Sequence, residues 1–211
     1  MSDAKNKTKI EFIKNARTIF MDKGISEAYM DDIAIASGKT RRTIYRYFNT
    51  KEDLAYEVLI EVLKEWNDYQ LKLNDTLEGD GLIQLKNFLY GLVFYMKTRI
   101  PLMTFLAEFD YYFNDSNTSS IDSEILKRFE SIIHVSDDII GNLLTKGVDD
   151  HSIVLKKSKQ MIVATISNIL WGFGQRIAVR GKSLTTESNL DPIDLLFCQI
   201  DMYIDYLENE V

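Results

Sequence analysis

The stretch MDDIAIASGKTRRTIYRYFN, residues 30–49, limits what this chain can fold into more than any other. Ala34 is small enough to let two helices cross closely, and Gly38 stands where the turn between them needs positive φ. Ile44 returns an apolar side chain to the same small core. The spacing predicts one helix over Asp31 to Ser37, with Ile33, Ala34 and Ala36 among its buried positions, and a second over Arg41 to Phe48. The hydroxyl of Thr40 is placed to cap the second. Ile44, Tyr47 and Phe48 then fall at helical spacing and face inward, which turns Arg41, Arg42, Thr43, Tyr45 and Arg46 outward. Two helices joined this way form a helix-turn-helix; the plainer alternative is a helical pair with a solvated basic face.

Charge favours the first reading. Residues 39–51 hold Lys39, Arg41, Arg42, Arg46 and Lys51 and no acid. Residues 1–51 carry 7 Lys and 4 Arg against 6 acids, a net +5, in a chain of net charge −7, so the remaining 160 residues carry −12. Counterion release on binding DNA depends on the charges at the contact, so an acidic chain with one basic helix is not excluded from nucleic acid. The expected groove-facing residues are Arg41, Arg42, Thr43 and Arg46, and the expected phosphate contacts are Thr40, Tyr45, Tyr47 and Lys51, with Lys39 beside them.

Several further spacings agree at once. Phe20-x-x-x-Gly24, Met30-Asp-Asp-Ile-Ala, Gly38, Thr43-Ile-Tyr-Arg-Tyr-Phe48 and Lys51-Glu-Asp-Leu54 together resemble the N-terminal signature of TetR/AcrR-type transcriptional regulators, over roughly residues 10–58. Tyr29 stands where that family commonly has a Thr or Ser cap, and Arg42 where a small residue is common. The resemblance implies a homodimeric regulator that binds a double-stranded DNA operator, usually with an effector site enclosed by the middle helices of the body.

The rest of the chain reads as helical throughout, which makes the fold all-α: a three-helix head over residues 1–50 and a helical bundle over 51–211. Residues 8–23 put Phe12, Ile13, Ala16, Ile19 and Phe20 on one face, with Gly24 as the stop. Thr50 and Asp53 resemble a helix start, and the helix from Lys51 to about Asn74 is long enough to join head to body. Leu82 to Thr98 is apolar nearly all round and belongs in the middle of a bundle. Leu102 to Phe113 follows, then a polar loop over 114–120, then one amphipathic helix from Asp122 to Lys146.

The last two helices each carry two apolar faces. From Pro192 to Asn209, Ile193, Leu196, Phe197, Ile200, Ile204 and Leu207 make one stripe, and Leu195, Cys198, Met202 and Tyr206 another. From about Leu155 to Arg180, Ile162, Ile166, Ile169, Phe173 and Ile177 make one face, and Ala164, Ser167, Trp171, Gly174 and Ala178 a second, smaller one. Two faces need two partners: the chain's own core and a twin subunit, meeting through residues 155–180 and 192–209 across a two-fold axis. The alternative is that one chain buries both.

Enzyme chemistry has no support: there is no Gly-rich phosphate loop, no nucleophile elbow and no Cys/His metal set, so neither catalytic residues nor a cofactor are expected. His134 with Asp137 and Asp138 is the best metal fragment, and wet helix faces produce such spacings often. Cys198, among Leu196, Phe197 and Ile200, reads as a buried small hydrophobe. Trp66, Tyr90, Phe94, Phe105, Phe109, Tyr112 and Trp171, with Asn168 and Gln175, are the candidates for an apolar or aromatic effector site, and packed core is the competing reading. The polar N-terminus lacks a secretory signal and the longest apolar run, Phe88 to Met96, is short of a membrane span, so a cytoplasmic protein with no membrane contact is expected. A helical adaptor that touches nucleic acid without sequence preference is the reading of another class that the composition also allows.

Overall fold

The computed structural model describes residues 2–113 and 121–209; the polar loop expected over 114–120 lies outside the described residues. The helices are α1 (Ser2–Lys23), α2 (Met30–Ala36), α3 (Arg41–Ile44), α4 (Lys51–Asn74), α5 (Gly81–Thr98), α6 (Ile100–Tyr112), α7 (Ser123–Glu130), α8 (Val135–Asp149), α9 (Lys159–Ser188) and α10 (Pro192–Leu207). The all-α class is what the periodicities predict. Extended pairing among the described residues is confined to an isolated antiparallel bridge, Ile153 with Glu208. The chain forms two compact units, one from Met1–Lys64 and Thr104–Ile132, the other from Glu65–Met103 and Ile133–Val211.

The first unit is built on α1. Phe12, Ala16 and Phe20 are buried with Ile33, Ala34 and Ile44 from the next two helices and with Phe48 beyond them, and the Phe12 ring meets Tyr47 and Phe48 edge-on at 5.5 and 6.3 Å. Gly38 takes φ +63 between α2 and α3, the conformation the turn was read to need. Ala36, expected inside, is exposed. Ser37 is buried instead, because its hydroxyl donates to the Ile33 carbonyl at 2.8 Å and accepts from Asn15 Nδ2 at 3.0 Å, so α1 and α2 are joined there by a satisfied polar contact.

Two charged contacts fix this unit further. Glu108 of α6 accepts from the backbone N–H groups of Ile25 and Ser26, at 2.5 and 3.2 Å, and so holds the turn that follows α1. Glu57 of α4 is only 4% exposed and takes Lys9 of α1 at 2.6 Å and both terminal nitrogens of Arg128 of α7 at 2.6 and 2.9 Å. Burial alone would raise the Glu57 pKa, but the hydrogen bonds from Arg128 and Lys9 outweigh it and hold the carboxyl below its ordinary range.

In the second unit, α5 packs on α8 and α10, and α9 on both of those. A Cβ on Gly81 would sit 2.2 Å from the backbone nitrogen of Gly147, so α5 and α8 approach backbone to backbone where no side chain fits. The ends are capped as their sequences suggest. Asp80, Ser158 and Asp191 each accept from a backbone N–H of the first turn, Pro192 sits at the start of α10, and Asn189 in the left-handed conformation ends α9.

Three expectations change. The single helix over Asp122 to Lys146 is two, α7 and α8. Ser131 donates its hydroxyl to the Arg128 carbonyl at 2.7 Å, and tightened turns run through 131–134 as the chain passes from one compact unit to the other. The two faces read on α9 do not separate into one buried and one open: Ile162, Ile166 and Ile177 of the first are buried together with Gly174 of the second, where a Cβ would press on Met96 and Met103, and Trp171 packs on Trp66. Ile169 of the first face and Ala164 of the second are both exposed. Cys198 is exposed because it belongs to the face of α10 that the chain leaves uncovered. α9 has the length and apolarity of a membrane-crossing helix, yet Ile162, Ile166, Leu170, Gly174 and Ile177 pack into the bundle.

Candidate nucleic-acid interface

The segment expected to read DNA is short and capped. Thr40 caps α3, its hydroxyl accepting from the Thr43 N–H at 3.3 Å and lying 2.9 Å from the Thr43 hydroxyl. The expected helix over Arg41 to Phe48 is regular only to Ile44, after which tighter bonds (Arg46 N–H to Thr43, Tyr47 N–H to Ile44) wind it through three more residues. Lys39, Thr40, Arg41, Arg42, Tyr45 and Arg46 are all exposed, and Thr43 and Tyr47 are half-buried, Tyr47 against Phe12. Eight of the nine named DNA contacts thus form one continuous surface with four cations and no acid among them.

Lys51 departs from that reading. Its ammonium donates to the carbonyls of Ile25 and Ser26 at 2.7 and 3.1 Å and lies 5.6 Å from the Tyr112 ring centre. It therefore braces the turn after α1 through its carbonyls, as Glu108 does through its N–H groups, and its charge is spent there where a phosphate had been expected. Beside it the Tyr112 hydroxyl donates to Glu52 at 2.8 Å, and burial, with that carboxylate, pushes its pKa up to about 12.

Asp31 is a residue that the sequence reading used only as the start of a helix. Its Oδ2 accepts from Arg41 Nη1 at 2.8 Å, and the Arg41 guanidinium lies over the Tyr45 ring at 5.6 Å. The available signal was an acid in the first turn of α2 and an arginine in the first turn of α3, which a close helix crossing brings together.

The nine candidates for an effector site do not form one group. Phe105, Phe109 and Tyr112 belong to the first unit, where Phe105 stacks with Phe20 and Phe109 meets Tyr56 and Phe113. Tyr90 packs on Phe197 and donates to Asp201 at 2.7 Å, Phe94 is 62% exposed, and exposed Asn168 donates to the Ala164 carbonyl of its own helix. Gln175, in the middle of α9, is half-buried. Trp66 and Trp171 do meet, 5.6 Å apart, with Tyr95 at 5.1 Å from Trp66. Polar groups converge there that the sequence reading missed: Trp66 Nε1 donates to Ser136 Oγ at 3.3 Å, Ser136 to Gln70 Oε1 at 2.7 Å, and Gln70 to Asn67 at 3.2 Å, with Gln70 fully buried. Gln70 stands four residues after Trp66, on the same helix face, which was the readable signal. Asp137, from the metal fragment, accepts from Ser167.

On the outer face of the second unit, α9 and α10 leave an apolar groove of about 580 Å³ lined by Met161, Ile166, Met202, Tyr203 and Leu207, with Lys157 at its edge. Met202 is 66% exposed and Met161 60%. The first stripe of α10 is buried at Ile193, Leu196, Ile200, Ile204 and Leu207 and half-buried at Phe197, and the second stripe is not covered by its own chain.

Residues 12–58 match the family model of bacterial regulatory proteins, tetR family. Solved structures of the same fold include a regulatory protein in the tetR family from Rhodococcus RHA1, with TM-score 0.70 and 14% identity over 97% of this chain and 99% of that one. The fatty acid degradation regulator FadR from Bacillus halodurans has TM-score 0.65 and 17% identity over 93% and 94%. FadR from Bacillus subtilis, solved in complex with stearoyl-CoA, has TM-score 0.64 and 15% identity over 92% and 97%. At these identities the likeness is one of fold. No curated protein matches the chain.

Proposed function

We infer, from a chain whose residues 12–58 match the family model of bacterial regulatory proteins, tetR family, that it is a homodimeric transcriptional repressor, released from a palindromic operator by a small apolar or aromatic effector. The observation that carries the DNA-binding part is the continuous exposed surface of Lys39, Arg41, Arg42 and Arg46 on a capped, buried-backed reading helix. Arg42 and Arg46 suit guanine edges, and Thr40, Tyr45 and Lys39 suit phosphates. We assign DNA reading to residues 1–50 and effector binding and dimerisation to 51–211, in the cytoplasm, where the operator is.

Dimerisation is assigned to α9 and α10 because their outer faces keep Met161, Ile169, Val179, Met202 and Tyr206 exposed, an apolar surface that a second copy would cover. The effector site is assigned to the surroundings of Trp66, Tyr95 and Trp171, where aromatic walls meet the Asn67, Gln70 and Ser136 amide and hydroxyl groups. That the Bacillus subtilis neighbour was solved with stearoyl-CoA fits an apolar ligand for a body of this fold. α4 is one unbroken helix from Lys51 to Asn74, so a tilt imposed near Trp66 is carried along a rod that begins just after the reading helix.

Trp66 and Trp171 are the two tryptophans of the chain, which makes emission a direct probe. Apolar effectors are screened for quenching, and each hit is titrated with and without operator. A regulating effector that weakens operator binding tenfold, about 1.4 kcal/mol, must itself bind tenfold more weakly to the operator complex. Equal affinity in both titrations would mean a ligand that binds without regulating.

A further inference from the structure

We propose that Asp31 is a positioning residue for sequence readout: it fixes the guanidinium of Arg41 so that this arginine selects one base rather than a phosphate. The proposal rests on the DNA-reading assignment above. Arg41 opens α3 on the exposed surface, and its long side chain would ordinarily sample many rotamers. Here it is held from two sides, by Asp31 Oδ2 at 2.8 Å and by the Tyr45 ring under its guanidinium at 5.6 Å. One Nη1 donor is used on Asp31, and the other N–H groups of the fork remain for the O6 and N7 of a guanine.

Two features argue that the acid is there for orientation. A carboxylate beside a phosphate-binding surface weakens attraction to every duplex alike, so its place next to Arg41 is unfavourable for non-specific binding. Its second oxygen, Asp31 Oδ1, is buried without a hydrogen-bond partner. A buried orphan acceptor destabilises the fold and calls for a reason, and a carboxylate whose remaining oxygen is committed to Arg41 supplies one. Among the described residues no carboxylate pairs with Arg42 or Arg46; the asymmetry singles out Arg41 as the pre-set reader.

The test enriches wild type, Asp31→Asn, Asp31→Glu, Arg41→Ala and the double variant Asp31→Asn/Arg41→Ala against a random duplex library. Affinities for the enriched site, its single-base variants and unselected DNA are then titrated at one salt concentration. Asp31→Asn should lose about tenfold or more of the preference at the base position that Arg41→Ala also loses, while binding unselected DNA as well as wild type or better. The double variant should lose no more than Arg41→Ala alone, and Asp31→Glu should restore part of the preference. The idea is overturned if Asp31→Asn raises affinity for enriched and unselected duplexes equally with every base preference intact, because the acid is then only a competitor for Arg41. It is overturned as well if the lost preference lies where Arg41→Ala has no effect. If wild type enriches no sequence at all, the DNA-reading assignment fails and takes this proposal with it.

Discussion

Replacing Met202 with aspartate is expected to leave a folded monomer that has lost most of its operator affinity. Met202 lies on the uncovered face of α10 and lines the groove with Met161 and Tyr203, so in a single chain the new carboxylate is solvated and costs little. Between two copies the same carboxylate would be buried without a partner, at on the order of 3–5 kcal/mol, and the two-fold axis places one from each subunit. Sedimentation at micromolar protein should show the monomer mass with native helicity by circular dichroism. Losing the second reading helix removes the effective-concentration gain of a two-site contact, so operator affinity should fall by roughly 10²–10⁴-fold while contact with unselected DNA falls much less. A variant that remains dimeric would move the interface away from α10.

The second large effect is at Glu57. Glu57→Gln removes the charge that holds Lys9 of α1 and Arg128 of α7 while leaving both cations in place, and the first compact unit should lose on the order of 3 kcal/mol of stability. The pH dependence has a fixed sign. The folded pKa of Glu57 lies below its ordinary value of 4.5, so its contribution is complete above that value and is lost as pH falls through the folded pKa. Urea midpoints of wild type should therefore fall below about pH 4.5 more steeply than those of the variant. Parallel acid limbs for the two proteins would mean that Glu57 contributes no net stabilisation.

What could be read from the residues alone was whatever is decided locally. Gly38 and Thr40 announce a positive-φ turn and a helix cap within a few residues of themselves, and both behave so. The buried stripe of α10 follows from a strict 3.6-residue period. What was not legible depends on partners distant in sequence. The break between α7 and α8 follows a change of compact unit, which periodicity across 122–146 cannot show. Lys51 and Cys198 were assigned from their neighbours in the chain, whereas the carbonyls of Ile25 and Ser26 and the open face of α10 decide their roles. The two faces read on α9 do not match its buried and open sides, because Ile162, Ile166 and Ile177 of one pack inward together with Gly174 of the other, whose fit to Met96 depends on a partner distant in sequence. Asn67, Gln70 and Ser136 escaped because single polar residues on apolar helices look like surface until a network closes over them.

The central claim is that two copies of the Lys39–Tyr47 surface read one DNA site together, and enrichment from a pool of random duplexes tests it most directly. The account predicts that the enriched sequences share an inverted repeat whose half-sites lie about 10 base pairs apart centre to centre, or a multiple of it, bound by a dimer with steep salt dependence. Salt-dependent binding that leaves the pool unenriched would contradict it, and would leave the basic helix as a non-specific nucleic-acid contact on a helical adaptor.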